Sequence, residues 1–324
     1  MKSLKELILE ELENTNAIQI AAEEYINANY DIYGKLTFEY TNGMCIVNCD
    51  GDVKVSNEEI EKLTDGFVWG EVNGSFLCLK CDKLKSLEGA PKEVGGEFNC
   101  AYCFELKSLE GAPEKVDGKF TCTDCINLTS LQGAPKKVGR SFGCLNCTKL
   151  VSLEGAPEKV GLHFDCTNCP NLKSLEGAPK EVNGSFLCSA CKNLTSLQGA
   201  PKKIGSNFIC TSCIGLNTLE GAPKEVVGNF YCIECNNLNT LEGAPKVVGG
   251  DFRCDFCEIL KSLDGAPKEV GGEFDCSYCK NLISLEGAPE KVGGVFDCSD
   301  CENLKSLEGA PKNAKEIKCD TRLK

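Results

Sequence analysis

The groups in this chain with the spacing to do chemistry are cysteines: eleven Cys-x-x-Cys pairs run from Cys78 and Cys81 to Cys298 and Cys301. Two neighbouring pairs, such as Cys78, Cys81, Cys100 and Cys103, supply the ligand count of a tetrahedral zinc or iron–sulfur site. A redox disulfide within one pair needs Cα atoms within about 7 Å, whereas three residues of extended strand separate them by about 10 Å, so only a sharp bend at the strand end would bring them closer. A third reading is structural: a buried thiol is a small apolar group whose S–H donates weakly to a backbone carbonyl. The pairs return at a fixed interval, and thiolates stacked at the ~4.8 Å spacing of neighbouring strands would repel unless every site held a cation. The structural reading is therefore preferred, with stacked metal sites as its alternative.

Other chemistry is sparse. His163 is the one histidine; it stands at a freely varying outward position and reads as a solvated side chain, which excludes catalysis that needs several histidines. A Ser or Thr recurs at every place from Ser86 to Ser306 and behaves as a hydroxyl ladder satisfying turn backbone, not as a set of nucleophiles. The next column, Glu88 to Glu308, is acidic except at Gln132 and Gln198. With the lysines that are frequent just after the Pro it reads as a solvated edge whose charge pairs are worth little each. Asp275 and Asp297 share an outward column but have no further carboxylates at the spacing of a calcium loop. The sequence thus assigns no catalytic residue and no cofactor.

The elements that position the cysteines are written in the period. From Phe76 to Pro311 the phrase Phe-x-Cys-x-x-Cys-x-x-Leu-x-(Ser/Thr)-Leu-x-Gly-Ala-Pro returns every 22 residues, eleven times. Phe and both Leu columns never vary, and Val fills nine of the ten places between repeats, with Ile204 the exception. A unit this short cannot bury its apolar residues alone, so successive copies must stack into one elongated core. In Gly-x-Phe-x-Cys the alternation points Phe76 and Cys78 inward and Ser75, Leu77 and Leu79 outward. Gly-Ala-Pro is a turn: its Gly can take positive φ and its Pro has no N–H for a ladder. Coils ~4.8 Å apart would form a rod of roughly 50 Å with a parallel sheet along one side.

Residues 1–70 read as an acidic α+β cap. Ser3 and Glu6 form a capping box ahead of Leu4, Leu7, Ile8 and Leu12, and Asn16 precedes a second helical face of Ile18, Ala21, Ala22, Tyr25 and Ile26. Two helices are therefore expected, followed by a hairpin of KLTFEY and MCIVNC about Asn42-Gly43, a strand at DVKV and a short helix at NEEIEKL. Residues 71–312 are the solenoid and 313–324 a closing coil containing Cys319.

The repeat resembles the leucine-rich repeat, with Val-x-x-x-Phe-x-Cys-x-x-Cys-x-x-Leu in the role of the strand motif. The second cysteine column, Cys81 to Cys301, matches the ladder position that is Asn in most such repeats and Cys in a subclass, and the SLEGAP wording resembles bacterial and bacteriophage members. The likeness spans about residues 72–320. It implies a solenoid and a binding role, and carries over no catalytic residue. The chain departs from the family in using Phe and Cys at strand positions and in lacking a helix-forming return segment, so the outer side is expected to be a turn or short strand and the solenoid flat.

The net charge is −13, and residues 1–70, with five Lys against fourteen Asp and Glu, hold most of it. This disfavours nucleic acid as a partner. The first residues read as a charged helix, not an export signal, so free thiols in the cytosol are expected. The resulting reading is a non-enzymatic, monomeric leucine-rich-repeat-like solenoid that binds a protein through the outward side of its sheet, without membrane attachment. Leu187, Ile209, Tyr231 and Ile233 form its apolar centre. Arg253, Asp255, Asp275 and Asp297 form a charged flank, and Phe256 and Tyr278 are aromatic anchors. A thiol-rich metal-binding protein and an acidic mimic of nucleic acid are the alternatives.

Overall fold

The computed structural model describes residues 4–323, and within them two sheets wind through nearly the whole chain. The cap begins with one continuous helix, α1 (Leu4–Asn29), where two were expected. The Asn16 signal fails because Thr15 turns its hydroxyl back onto the Glu11 carbonyl at 2.7 Å, leaving the helix no reason to stop. Ser3 lies outside the described residues, as do the side chains of Leu4, Leu7, Ile8 and Leu12. Farther along, Ile18, Ala22, Tyr25 and Ile26 face the core as the periodicity required, whereas Ala21, expected on the same face, is exposed.

Strands β1 (Tyr30–Tyr33), β2 (Leu36–Thr41), β3 (Met44–Cys49), β4 (Asp52–Val55) and β5 (Phe67–Val72) follow. The β2–β3 hairpin turns at Asn42 and Gly43, both with positive φ. The helix expected at NEEIEKL is absent. Asn57 is tied to the end of α1, its backbone N–H to the Asn29 carbonyl and its amide to Asn29 Oδ1, and its own Oδ1 accepts the Glu59 N–H, but residues 56–63 go no further than turns, which bury Ile60 and Leu63.

Each repeat contributes two short strands. Those at Phe, from β6 (Phe76–Leu77) to Val295–Asp297, pair in parallel register, Phe to Phe, in a sheet that begins with β1 and β4 and ends with Glu316–Lys318. Those at Val form a second parallel sheet on the return side, which starts from β2, β3 and β5. Both sheets therefore run without a break across residue 70. The return sheet is interrupted once, between Lys203–Ile204 and Glu225–Val226. At the place after Val, Gly, Asp or Asn normally donates its N–H to the preceding Val carbonyl, as Gly95 does to Val72. A Cβ on Gly205 or Gly249 would lie 2.0 or 2.1 Å from the carbonyl of the coil before. Val227, β-branched and exposed, stands at this crowded place beside the interruption.

Between the sheets the core is a set of columns. The Phe rings stack from Phe76 to Phe296 with centroids 5.1–5.8 Å apart. Both cysteines and the first Leu of every coil are fully buried beside them. The Gly of each Gly-Ala-Pro has φ between 82° and 93°. At Gly199 (φ 91°) a Cβ would lie 2.4 Å from the Glu176 backbone nitrogen of the neighbouring coil. Gly199→Ala is therefore expected to destabilise the protein by on the order of 3 kcal/mol, from backbone strain and overlap together. A denaturant midpoint close to that of the unsubstituted protein would contradict this.

Candidate interaction face

The outward face of the long sheet is built from strands only two residues long. A few residues beyond each strand, the third residue of Cys-x-x-Cys is left-handed in every repeat, from Lys80 (φ 59°) to Asp300 (φ 56°). Apart from Gly, only Asn and Asp visit this region readily, yet Lys, Tyr, Ala, Ser, Glu and Phe also occupy it here. The conformation is held by the ladder: the N–H of Lys80 donates to the Ala101 carbonyl and that of Tyr102 to Thr123, coil after coil. This is the sharp bend that folds the second cysteine back inside.

The thiols then find backbone partners. Cys103 Sγ donates to the Cys78 carbonyl at 3.0 Å and Cys125 Sγ to Cys100 at 3.1 Å, a pattern that continues to Cys301 and Cys276. First-column thiols donate forward, Cys100 to the Thr121 carbonyl at 3.4 Å, while Cys81 reaches Leu79 at 3.7 Å. Among the described residues no three His, Cys, Asp or Glu side chains are grouped to hold a metal ion. Burial pushes Cys78, Cys232, Cys257 and Cys276 well above the ordinary thiol range, and hydrogen bonding to a thiol of the next coil, then burial, does the same for Cys100, Cys144 and Cys210. These raised thiols keep their protons, as a backbone donor must, whereas a hydrogen bond from Cys166 lowers the Cys191 thiol below its ordinary range. The Ser/Thr column likewise serves the turns: Ser86 Oγ accepts from the Glu88 N–H and Ser152 Oγ from Glu154.

The sheet register brings the expected contact residues into one row. Leu187 lies beside Ile209, Ile209 beside Tyr231, Tyr231 beside Arg253, Arg253 beside Asp275 and Asp275 beside Asp297. Leu187, Ile209, Tyr231 and Ile233 are half-buried. At the strand ends Phe256 and Tyr278 stack on each other in the open, 4.5 Å apart and 3° from parallel. The Asp300 carboxylate, by its charge and a hydrogen bond, raises the Tyr278 phenol above its ordinary range.

The acidic flank differs from its sequence-based description. Asp255 and Asp275 are buried, not free outward charges. Arg253 holds Asp255 in a two-pronged hydrogen bond, Nε to Oδ1 at 3.1 Å and the terminal nitrogen to Oδ2 at 3.0 Å, and the same nitrogen reaches Asp275 at 3.0 Å. Packing against a planar guanidinium two residues away and one coil over removed both carboxylates from solvent. Burial, then Asp275, raises Asp255 above the ordinary carboxylate range despite Arg253. Asp297, 3.7 Å from Lys318, and exposed Asp300 and Glu234 are the charges left at the surface.

His163 is exposed, as expected, and also has a structural bond. It sits in the column just before Phe, where a run of side chains accepts the N–H of the neighbour one coil on: Ser141 Oγ from His163, His163 Nδ1 from Ser185 at 3.0 Å, Ser185 Oγ from Asn207, Asn207 Oδ1 from Asn229 and Asn229 Oδ1 from Asp251. The signal was legible, because Ser, Asn, Asp and His at one column share a short acceptor at the same reach.

These features define the class of protein as a β-solenoid of 22-residue coils with two parallel sheets and a cysteine-lined core. No protein-family model and no curated protein matches the chain. A solved leucine-rich repeat protein from Bacteroides ovatus is similar in structure, with a TM-score of 0.46 and 16% sequence identity, over 89% of this chain and 90% of that one. No described helix is long and apolar enough to cross a membrane.

Proposed function

We propose that this solenoid is a non-enzymatic scaffold of the cysteine-containing leucine-rich-repeat type, which binds a protein partner on the outward face of coils six to eleven. One observation carries the reading: the ladder places Leu187, Ile209 and Tyr231 on directly bonded strands, continuous with the Arg253 cluster and the exposed Phe256–Tyr278 stack. An apolar centre beside acidic groups suits a partner that offers an apolar group next to Lys or Arg. The charges then steer the approach and the apolar centre holds the complex. Unpaired, buried thiols suit a reducing compartment, and we place the protein there as a monomer.

The test uses two variants, Ile209→Ser with Tyr231→Ser and Asp297→Lys with Asp300→Lys. Asp275 is left alone because a lysine there would face Arg253. After the principal partner has been captured from the source cell with the unsubstituted chain, its affinity for each folded variant is measured. The apolar variant is expected to bind at least about tenfold more weakly through faster dissociation. The charge variant is expected to associate more slowly and with less dependence on salt. Unchanged binding by both removes this face as the site.

A further inference from the structure

A second surface, on the corner between the sheets at coils three to five, carries two cationic side chains that have no ion-pair partner among the described residues. Eight of the eleven repeats place Gly two residues before Phe, and one places Arg140 there. The chain has three arginines. Arg253 is clamped by carboxylates, and Arg322 donates to Asp320 and to the Cys301 and Leu304 carbonyls. Arg140 has no carboxylate or carbonyl partner for its guanidinium among the described residues, and Lys119, which lines the same groove of about 720 Å³, has no ion pair there either.

The groove's own acids are already engaged. Asp117 is 3.1 Å from Lys115, and Glu97 accepts from the Asn99 amide at 2.9 Å. The remaining wall residue with a polar ring is His163. Its Nδ1 accepts the Ser185 N–H, so the neutral ring carries its proton on Nε2 and has that group left to donate. Three donors with no internal acceptor therefore line one groove of a protein whose pI is about 4.8.

We propose that Lys119, Arg140 and His163 form a binding site for an oxyanion, a phosphate or a carboxylate, distinct from the sheet face over coils six to eleven. The guanidinium offers a planar fork to either group, Lys119 a point charge and the imidazole a directed N–H.

Because His163 is the chain's one histidine, its ring resonances report on this site without interference. Inorganic phosphate and acetate are titrated separately at fixed pH, with chloride at matched ionic strength as the reference. The ring signals are expected to shift and saturate with half-saturation on the order of millimolar, as suits a few exposed donors. Saturation by phosphate alone or by acetate alone names the oxyanion. Arg140→Gly and Lys119→Ser place residues that other repeats use at the same positions, so the fold is preserved. Each is expected to weaken binding by about tenfold. Shifts that do not saturate, that chloride reproduces, or that persist unchanged in both variants overturn the site.

Discussion

Raising the pH from about 8 to 10 is expected to unfold this protein cooperatively. Eleven core thiols, among them Cys78, Cys147, Cys166, Cys188 and Cys254, are held well above the ordinary thiol range by burial and by hydrogen bonds to neighbouring thiols. Their folded form keeps its proton, whereas the unfolded chain loses it near pH 8.5. Above that pH the unfolded state binds fewer protons than the native one, so stability falls as pH rises, and the loss is absent below it. Each such thiol contributes about 1.4 kcal/mol per pH unit beyond the unfolded value. Five of them acting together would remove about 7 kcal/mol per unit, comparable with the whole stability of an ordinary domain. Circular dichroism against pH, with reductant present to prevent oxidation, should show a steep transition starting between about pH 8.5 and 9.5. A fold stable to about pH 11 would mean that the thiols are not the neutral, water-free columns described here.

Deleting residues 1–70 is expected to abolish soluble monomer. β4 pairs with β6 and β3 with β5, so the deletion leaves both sheets with open edges. It also strips Tyr30 and Trp69, whose rings lie 6.2 and 5.8 Å from Phe76, off the end of the Phe stack. Phe76, Leu84 and Leu87, now fully buried, would face water and make end-to-end association favourable. Size-exclusion chromatography with light scattering decides the matter. A truncated chain that remains monomeric and melts cooperatively would show that the first 70 residues are dispensable to the stack.

The repeat arithmetic alone determined the core. Invariant Phe, Cys and Leu columns at one period have a single consistent placement, inside, and Gly-Ala-Pro at the same period can only be a corner. The inward direction of the first cysteine of each pair, the row of strand positions from Leu187 to Asp297 and the β2–β3 hairpin were legible for the same reason: period and turn chemistry are properties of the backbone, and every coil repeats them. What tertiary structure decided lies where residues far apart in the chain compete for one group. NEEIEKL reads as a short helix, but its first residue is tied to the end of α1 and the segment stays in turns that bury Ile60 and Leu63. Asp255 and Asp275 looked like free charges because alternation says which way a side chain leaves the strand, not what lies over it, and Arg253 lies over both. His163 seemed idle until the next coil brought the Ser185 N–H to its ring. A period fixes which positions become neighbours, whereas the side chains present at each place decide whether those neighbours bond, bury one another or remain in water.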